Sequence, residues 1–339
     1  MTTDADKFIL SLSLVHGIGN VFLKKNLSGL NDFLPGDSEE DWFSAIKDFL
    51  GQRKKSITDD EIHKVILESS GIFETCRANG VSIVSIANRN YPRLLFEVKD
   101  APPVLYYIGN YTLINKAISI IGTRNPNENG KIIASRVGSF FSSNSWSICN
   151  GLAEGIDTCA VENEKQVFSN VVGVLAGGID FKGNILIKST RKIAERVLSN
   201  NGLIISEFSP FKKQDVFTTV KSCRVQAGLS SGLILIQSSI SGGSKFAVQT
   251  IAELGRVLGV IYPVKNDIDS IEYEANYLLL NFGIQGLCRF TGLTEAKARN
   301  CKILSVKSKD SYLDFEASIS EIWNRVNNSS PSLYENLTL

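Results

Sequence analysis

Short glycine-rich segments recur through the middle of this 339-residue chain, each beside polar or charged side chains. They read Gly122-Thr123-Arg124-Asn125, Gly151 to Asp157 (GLAEGID), Gly177-Gly178-Ile179-Asp180 and Ser241-Gly242-Gly243-Ser244-Lys245. Glycine lets a backbone approach a ligand closely, and a helix starting just beyond it points free N–H groups at an anion. One such segment is no more than a turn; several on the same edge of a sheet would line a crevice for phosphate. Arg124, Arg224 and Lys245 would supply side-chain charge there. Asp157, Asp180 and Glu207 are carboxylates on the same edge. They are acid–base candidates, although such residues more often cap helices or hold loops.

Other chemistries are disfavoured by what the sequence lacks. It contains no GxxxxGK[ST], and no GxGxxG follows a strand, which argues against a P-loop ATPase and a nicotinamide dehydrogenase. Its only histidines, His16 and His63, lie in the N-terminal part, away from any Ser or Asp of the glycine-rich segments. The six cysteines form no CxxC pair and no zinc-finger spacing, so neither a metal nor another cofactor is expected. They read as scattered thiols of a reducing compartment. Lys+Arg total 36 and Asp+Glu 35, a net charge of +1, so any nucleic-acid site must be a local patch. A hydrophobic content of 43% with 21% charged residues excludes wholesale disorder and a coiled-coil rod. The start, MTTDADKF, has no basic leader and no apolar run is long enough for a membrane span, so a cytoplasmic protein is expected.

The elements that must carry these segments follow from periodicity. Short apolar runs at 81–86, 101–110, 117–121, 146–150, 171–175, 202–206, 232–237 and 259–263 predict strands. Helical stretches lie at 127–144, 153–166, 184–200, 217–229 and 244–257. This alternation predicts an α/β fold, a Rossmann-like, mainly parallel sheet with flanking helices. A small helical domain over 1–78 precedes the sheet domain of 79–290, and 291–339 forms a short extension. Around His16-Gly17-Ile18-Gly19 two short helices fit a helix-hairpin-helix, a unit that can present N–H groups to DNA phosphate. A tight turn between packed helices explains the same residues and is favoured.

The same segments resemble the DNA processing protein A (DprA/Smf) family. Asn90-Tyr91-Pro92 through Pro102-Pro103-Val104-Leu105 and Gly109-Asn110 is similar to the family's entry segment. ISIIGTRNPNENG (118–130) resembles its first strand and loop, and GLAEGID its second motif. Gly177 to Asp180, Ile205-Ser206-Glu207, Ala227 to Ser230, Ser241 to Arg256 and Asn276 to Gly283 follow in family order. The resemblance covers roughly 90–285. It implies an extended Rossmann-like fold without enzymatic activity that binds single-stranded DNA on the sheet rim. It also implies a homodimer that assists a RecA-type recombinase during natural transformation. By motif position, Gly122, Thr123, Arg124 and Gly151 would meet DNA, and Arg224 would be the last Arg of the family's Arg-Asn-Arg. The departures are Ser222-Cys223-Arg224 in place of that signature, with Lys221 nearby, and Phe181-Lys182-Gly183 in place of a Tyr-Pro step. A related role in defence against phage or plasmid DNA is the alternative.

As a single-strand binder, the chain would use Arg124, Lys182, Lys221, Arg224 and Lys245 as a basic rim, with Ser241 and Gly242 beside it. Phe181 would be the stacking platform; core packing is an equal explanation for Phe181. The competing reading is a nucleotide sensor or hydrolase of the lysine-decarboxylase-like group. Its Pro-Gly-Gly-x-Gly-Thr-x-x-Glu motif meets SGGSKFAVQ (241–249), which lacks the Pro, the Gly-Thr and the Glu. A third reading is a protein-interaction platform using the helical N-terminus and the 313–326 helix. For Arg124 the alternative to a DNA contact is a loop-holding pair with Asp157.

Overall fold

The structure, a computed structural model, describes residues 2–164, 166–179, 186–268 and 270–328. Four helices come first: α1 (Asp4–Leu14), α2 (Asn20–Lys25), α3 (Glu39–Gln52) and α4 (Asp59–Ala78). Helix α1 begins in a capping box between Thr3 and Asp6, which satisfies N–H groups that the first turn leaves unpaired. Asp6 is buried and also accepts from the Ser85 N–H at 2.6 Å and the Asn88 side chain at 2.7 Å. One carboxylate thus starts a helix and ties it to the next part of the chain. Helix α2 is tied down as well, since Asn20 donates to the Asp100 carbonyl and Lys24 to the Phe96 and Val98 carbonyls. Phe8, Ile46 and Phe49 share one core cluster with Leu105, Ile118 and Ile204 of the sheet.

The sheet strands are β1 (Ser82–Ser85), β2 (Val104–Gly109), β3 (Ala117–Ile121), β4 (Ser147–Asn150), β7 (Val171–Val174), β8 (Leu203–Ser206), β9 (Gly232–Leu235), β10 (Val257–Ile261) and β11 (Lys302–Val306). A separate hairpin, β5 (Glu162–Asn163) and β6 (Gln166–Val167), lies between β4 and β7. The nine-stranded order is β1-β2-β8-β7-β4-β3-β9-β10-β11. Strand β2 runs antiparallel to both β1 and β8, and every pair from β8 to β11 is parallel. Strands β3, β4, β7, β8, β9 and β10 are buried throughout, as expected of a parallel sheet covered on both faces. The expected mainly parallel α/β sheet is therefore present.

The helices that cover it are α5 (Arg93–Phe96), α6 (Glu128–Ser143), α7 (Ile156–Ala160), α8 (Lys188–Ser199), α9 (Val216–Leu229), α10 (Lys245–Glu253), α11 (Glu274–Thr291), α12 (Glu295–Ala298) and α13 (Lys309–Asn328). The continuous helix expected over 153–166 is corrected. Only Ile156–Ala160 is helical, and the chain then reverses through the β5–β6 hairpin. Glu164 adopts φ +48° in that reversal, and the polar run 162–166 has no apolar face to bury on the sheet. Strand β11 lengthens the sheet, and α13 returns across it, setting Phe315 edge-on to Phe141 with ring centroids 6.0 Å apart. Among the described residues, no helix is long and apolar enough to cross a membrane.

Candidate nucleic-acid interface

The chain leaves β3 on one side for β4, β7 and β8, then returns to β3's other side for β9, β10 and β11. In such sheets ligands bind outside the carboxyl ends of the strands, at the point where the order reverses. Here that point lies between the loops following β3 and β9, and the Thr123 N–H donates to the Gln237 carbonyl across it at 2.8 Å. Glycine is needed at 122 because a Cβ there would meet Ile156 at 2.7 Å and the Gln237 carbonyl at 2.8 Å. The close approach at this position is thus protein on protein.

The GLAEGID loop after β4 packs directly beneath. Gly155 takes φ +87°, and a side chain there would strike the Thr123 and Arg124 carbonyls at 2.5 Å. Ile156 N–H donates to the Thr123 carbonyl at 3.1 Å. Asn150 braces the loop from within, donating to the Ile120 and Asp157 carbonyls and accepting from the Leu152 N–H. The Gly151 amide, expected to face a ligand, donates instead to Asp157 Oδ2 at 3.1 Å. Burial pushes the Asp157 carboxyl up to about 7, against the opposing pull of the Ala153 and Gly151 amides and the Arg124 charge.

Arg124 itself is exposed and forms no salt bridge among the described residues, so the loop-holding pair with Asp157 is not present. It stands just ahead of α6, whose N-cap Asn127 accepts from the Gly130 N–H at 2.9 Å. Ser241 is exposed, and the Gly242 N–H closes a turn on the Ser239 carbonyl at 3.0 Å. Lys245 opens α10, half-buried, with its ammonium 5.3 Å from the Phe246 ring centroid. Arg224 differs. Its fork closes on Glu207 at 2.6 and 2.7 Å, and its Nε donates to Asp100 at 2.9 Å. Burial opposes its charge, yet the Glu207 and Asp100 carboxylates outweigh that and raise its pKa. This guanidinium holds α9 to the loop after β8, with four of its five N–H donors committed to Glu207, Asp100 and the Lys221 carbonyl. Lys221, one turn earlier on α9, lies 5.0 Å from the Phe217 ring centroid. Phe181, Lys182 and Asp180 lie outside the described residues.

Sequence reasoning passed over one loop. Phe211, Val216 and Phe217 are 62%, 83% and 64% exposed, an unusual concentration of large apolar surface running from the loop after β8 into the first turn of α9. Lys212 and Lys213 are interleaved with them, and the Lys212 carbonyl accepts from the Gly178 N–H at 2.8 Å, which brings the loop against the Gly177-Gly178 rim. The signal was present as Phe-Lys-Lys in a polar stretch that fits neither a strand nor a helix period. Among the described residues, no group of three or more His, Cys, Asp or Glu could hold a metal ion.

The fold is a Rossmann-like α/β sheet with an exposed arginine and hydroxyl side chains beside its switch point. The chain belongs to the family of DNA recombination-mediator protein A, whose family model matches residues 82–296. It is similar to DNA processing protein DprA of Bacillus subtilis, 28% identical over 207 residues, covering 60% of this chain and 68% of that protein. It is also similar to Protein Smf of Synechocystis sp., 25% identical over 270 residues, covering 76% of this chain and 64% of that protein. The chain thus spans about two thirds of the length of these curated relatives. Its fold matches the X-ray structure of DNA processing protein A from Streptococcus pneumoniae with a TM-score of 0.66 at 23% identity, over 92% of this chain and 98% of that one. A structure of DNA processing protein A from Helicobacter pylori, described for its single-stranded DNA binding mode, matches with a TM-score of 0.52 at 24% identity, over 60% of this chain and 88% of that one.

Proposed function

We propose that this chain binds single-stranded DNA at the switch-point rim and performs no chemistry on it. The observation that carries the reading is Arg124, an exposed guanidinium without a salt bridge among the described residues, on the rim of a fold in this family. A fork of this kind takes a phosphate oxygen pair, and the exposed Phe211 and Phe217 offer faces for bases. Thr123, Ser241 and Lys245 add donors on the same rim, and Arg224 acts by holding α9 in place. The Helicobacter pylori relative, described as a single-stranded DNA binder, supports the same ligand class.

Binding of a labelled oligonucleotide tests it. Arg124→Ala should weaken binding by about 1–3 kcal/mol, the scale of a charge-assisted hydrogen bond. The salt dependence should fall by about 0.7 of an ion for each phosphate that the variant no longer engages. Unchanged binding with normal melting would remove Arg124 from the site. Tight binding of free nucleotides in place of the strand, or hydrolysis of either, would favour the nucleotide-sensor reading. The same titration with a RecA-type recombinase present tests the proposed downstream role, since a recombination mediator should speed filament assembly on the strand.

The second partner we infer is another copy of the chain. Ile240, Ile268 and Phe282 are 50%, 43% and 50% exposed around one shallow depression beside α11, and Ile271, 64% exposed, follows Ser270 of its wall. This apolar patch borders the rim, because Ile240 belongs to the loop that carries Ser241, and its N–H donates to Glu274 of α11. Sedimentation should show a dimer that Ile271→Glu converts to monomer; a monomeric wild type at micromolar concentration would overturn this.

A further inference from the structure

Asp157 places a buried carboxylate directly under the loop read as a phosphate site. Its Oδ2 accepts from the Gly151 N–H at 3.1 Å and, more weakly, from the Ala153 N–H at 3.4 Å. The loop that holds it is bound to the Thr123 carbonyl through Ile156 and backs onto Arg124 through Gly155. Resting on the single-strand reading above, we propose that Asp157 is a positioning residue that takes up one proton when a DNA phosphate binds at Arg124. Strand binding at this rim is then coupled to pH.

The physical reason is a conflict between two anions. While the rim is empty, the charge of Arg124 favours the ionised carboxylate beneath it. A phosphate at the guanidinium neutralises that help and adds a like charge near a poorly solvated group. The carboxyl's least costly response is to bind a proton. Burial already raises its pKa to about 7, so a modest further rise crosses the neutral range. The groups that face it are Arg124 from the loop after β3, Cys149 from β4 and Cys223 from α9. Burial pushes both thiols up to about 12, so they stay neutral and do not compete for this role. The two histidines sit elsewhere, His16 in the turn after α1 and His63 on α4.

The sign follows from linkage. The strand-bound form has the higher pKa and carries more protons, so binding tightens as pH falls through the window between the two pKa values. Below the free-state pKa of about 7 both forms are protonated and the dependence flattens. Within the window the affinity changes by at most about tenfold per pH unit, the limit for one proton.

The test is a titration of labelled oligothymidylate, about 20 nucleotides long, from about pH 6 to about pH 8.5 at constant ionic strength. Wild type should lose affinity as pH rises past 7, and Asp157→Asn, which mimics the neutral acid, should be flat. At the alkaline end the variant should bind at least as tightly as wild type. A wild type without slope, a variant that keeps the slope, or a variant that melts normally but binds weakly at every pH overturns the proposal. Calorimetry of wild type in two buffers of different ionisation enthalpy counts the proton without any variant. An uptake between zero and one near pH 7.5 supports the proposal, and zero overturns it. Failure of wild type to bind the strand at any pH would remove the single-strand reading and this inference together. Binding without proton uptake removes only this inference.

Discussion

At the floor of the sheet, Arg256 is wholly buried just ahead of β10. Its Nη1 donates to the carbonyls of Ala227, Gly228 and Ser230 at 3.1, 2.9 and 2.7 Å, and its Nη2 to the Leu94 carbonyl at 2.6 Å and the Glu97 carboxylate at 2.8 Å. At the rim, Arg124 stands in solvent with no carboxylate partner among the described residues. Arg224 lies between these extremes, with its side chain 11% exposed and forked onto a Glu207 that is 7% exposed. The same side chain is thus a staple where carbonyls and carboxylates surround it, and stays open to a ligand where none do. A guanidinium cannot take a phosphate with donors already committed, because breaking those bonds leaves buried acceptors unpaired. On this comparison the acceptors around an arginine, rather than its place in a motif, are expected to sort its role.

Truncating the three arginines in turn tests that ordering. Arg256→Ala should cost most, about 3–5 kcal/mol of unfolding free energy, since it strands Glu97 and several buried carbonyls. Denaturant unfolding measures it, and a loss below about 1 kcal/mol would contradict the staple role. Arg224→Ala should cost about 2–4 kcal/mol for the same reason at a less enclosed site. In a double-mutant cycle, Glu207→Gln should recover part of that loss, because it removes the stranded charge. If Arg224→Ala melts normally and abolishes strand binding, Arg224 is a contact residue and the comparison fails. Arg124→Ala should change stability least, by under about 0.5 kcal/mol, while carrying the binding defect described above.

Much of the fold was legible because its signals are local. Runs such as AISII (117–121) and LIIS (203–206) are largely apolar without alternation, as suits a strand covered on both faces. Helix α6 was legible in the apolar period of 127–144. The misreading over 153–166 has a local cause too: Gly155 and Glu164 take positive φ, which interrupts a stretch whose composition alone tolerates a helix. For the site, Gly122-Thr123-Arg124 was readable because a strand, a glycine and a helix start come in sequence. Arg224 and Gly151 were readable only as motif positions. What engages them is Asp100, 124 residues away from Arg224, and Asp157, whose carboxylate faces back onto Gly151.

The sequence by itself determined the alternation of buried strands and helices, and with it the rim on which the glycine-rich loops must gather. Those consequences follow from apolar periodicity and backbone stereochemistry, which act over a few residues. Only the tertiary structure decided which charged groups meet. It closed Arg224 on Glu207, buried Arg256 among carbonyls, left Arg124 in water and set Asp157 beneath it. Charge and hydrogen-bond pairing depend on distance and solvent exclusion between segments far apart in the chain. No local pattern encodes them, so the chemistry of this rim emerges only once the loops are folded against one another.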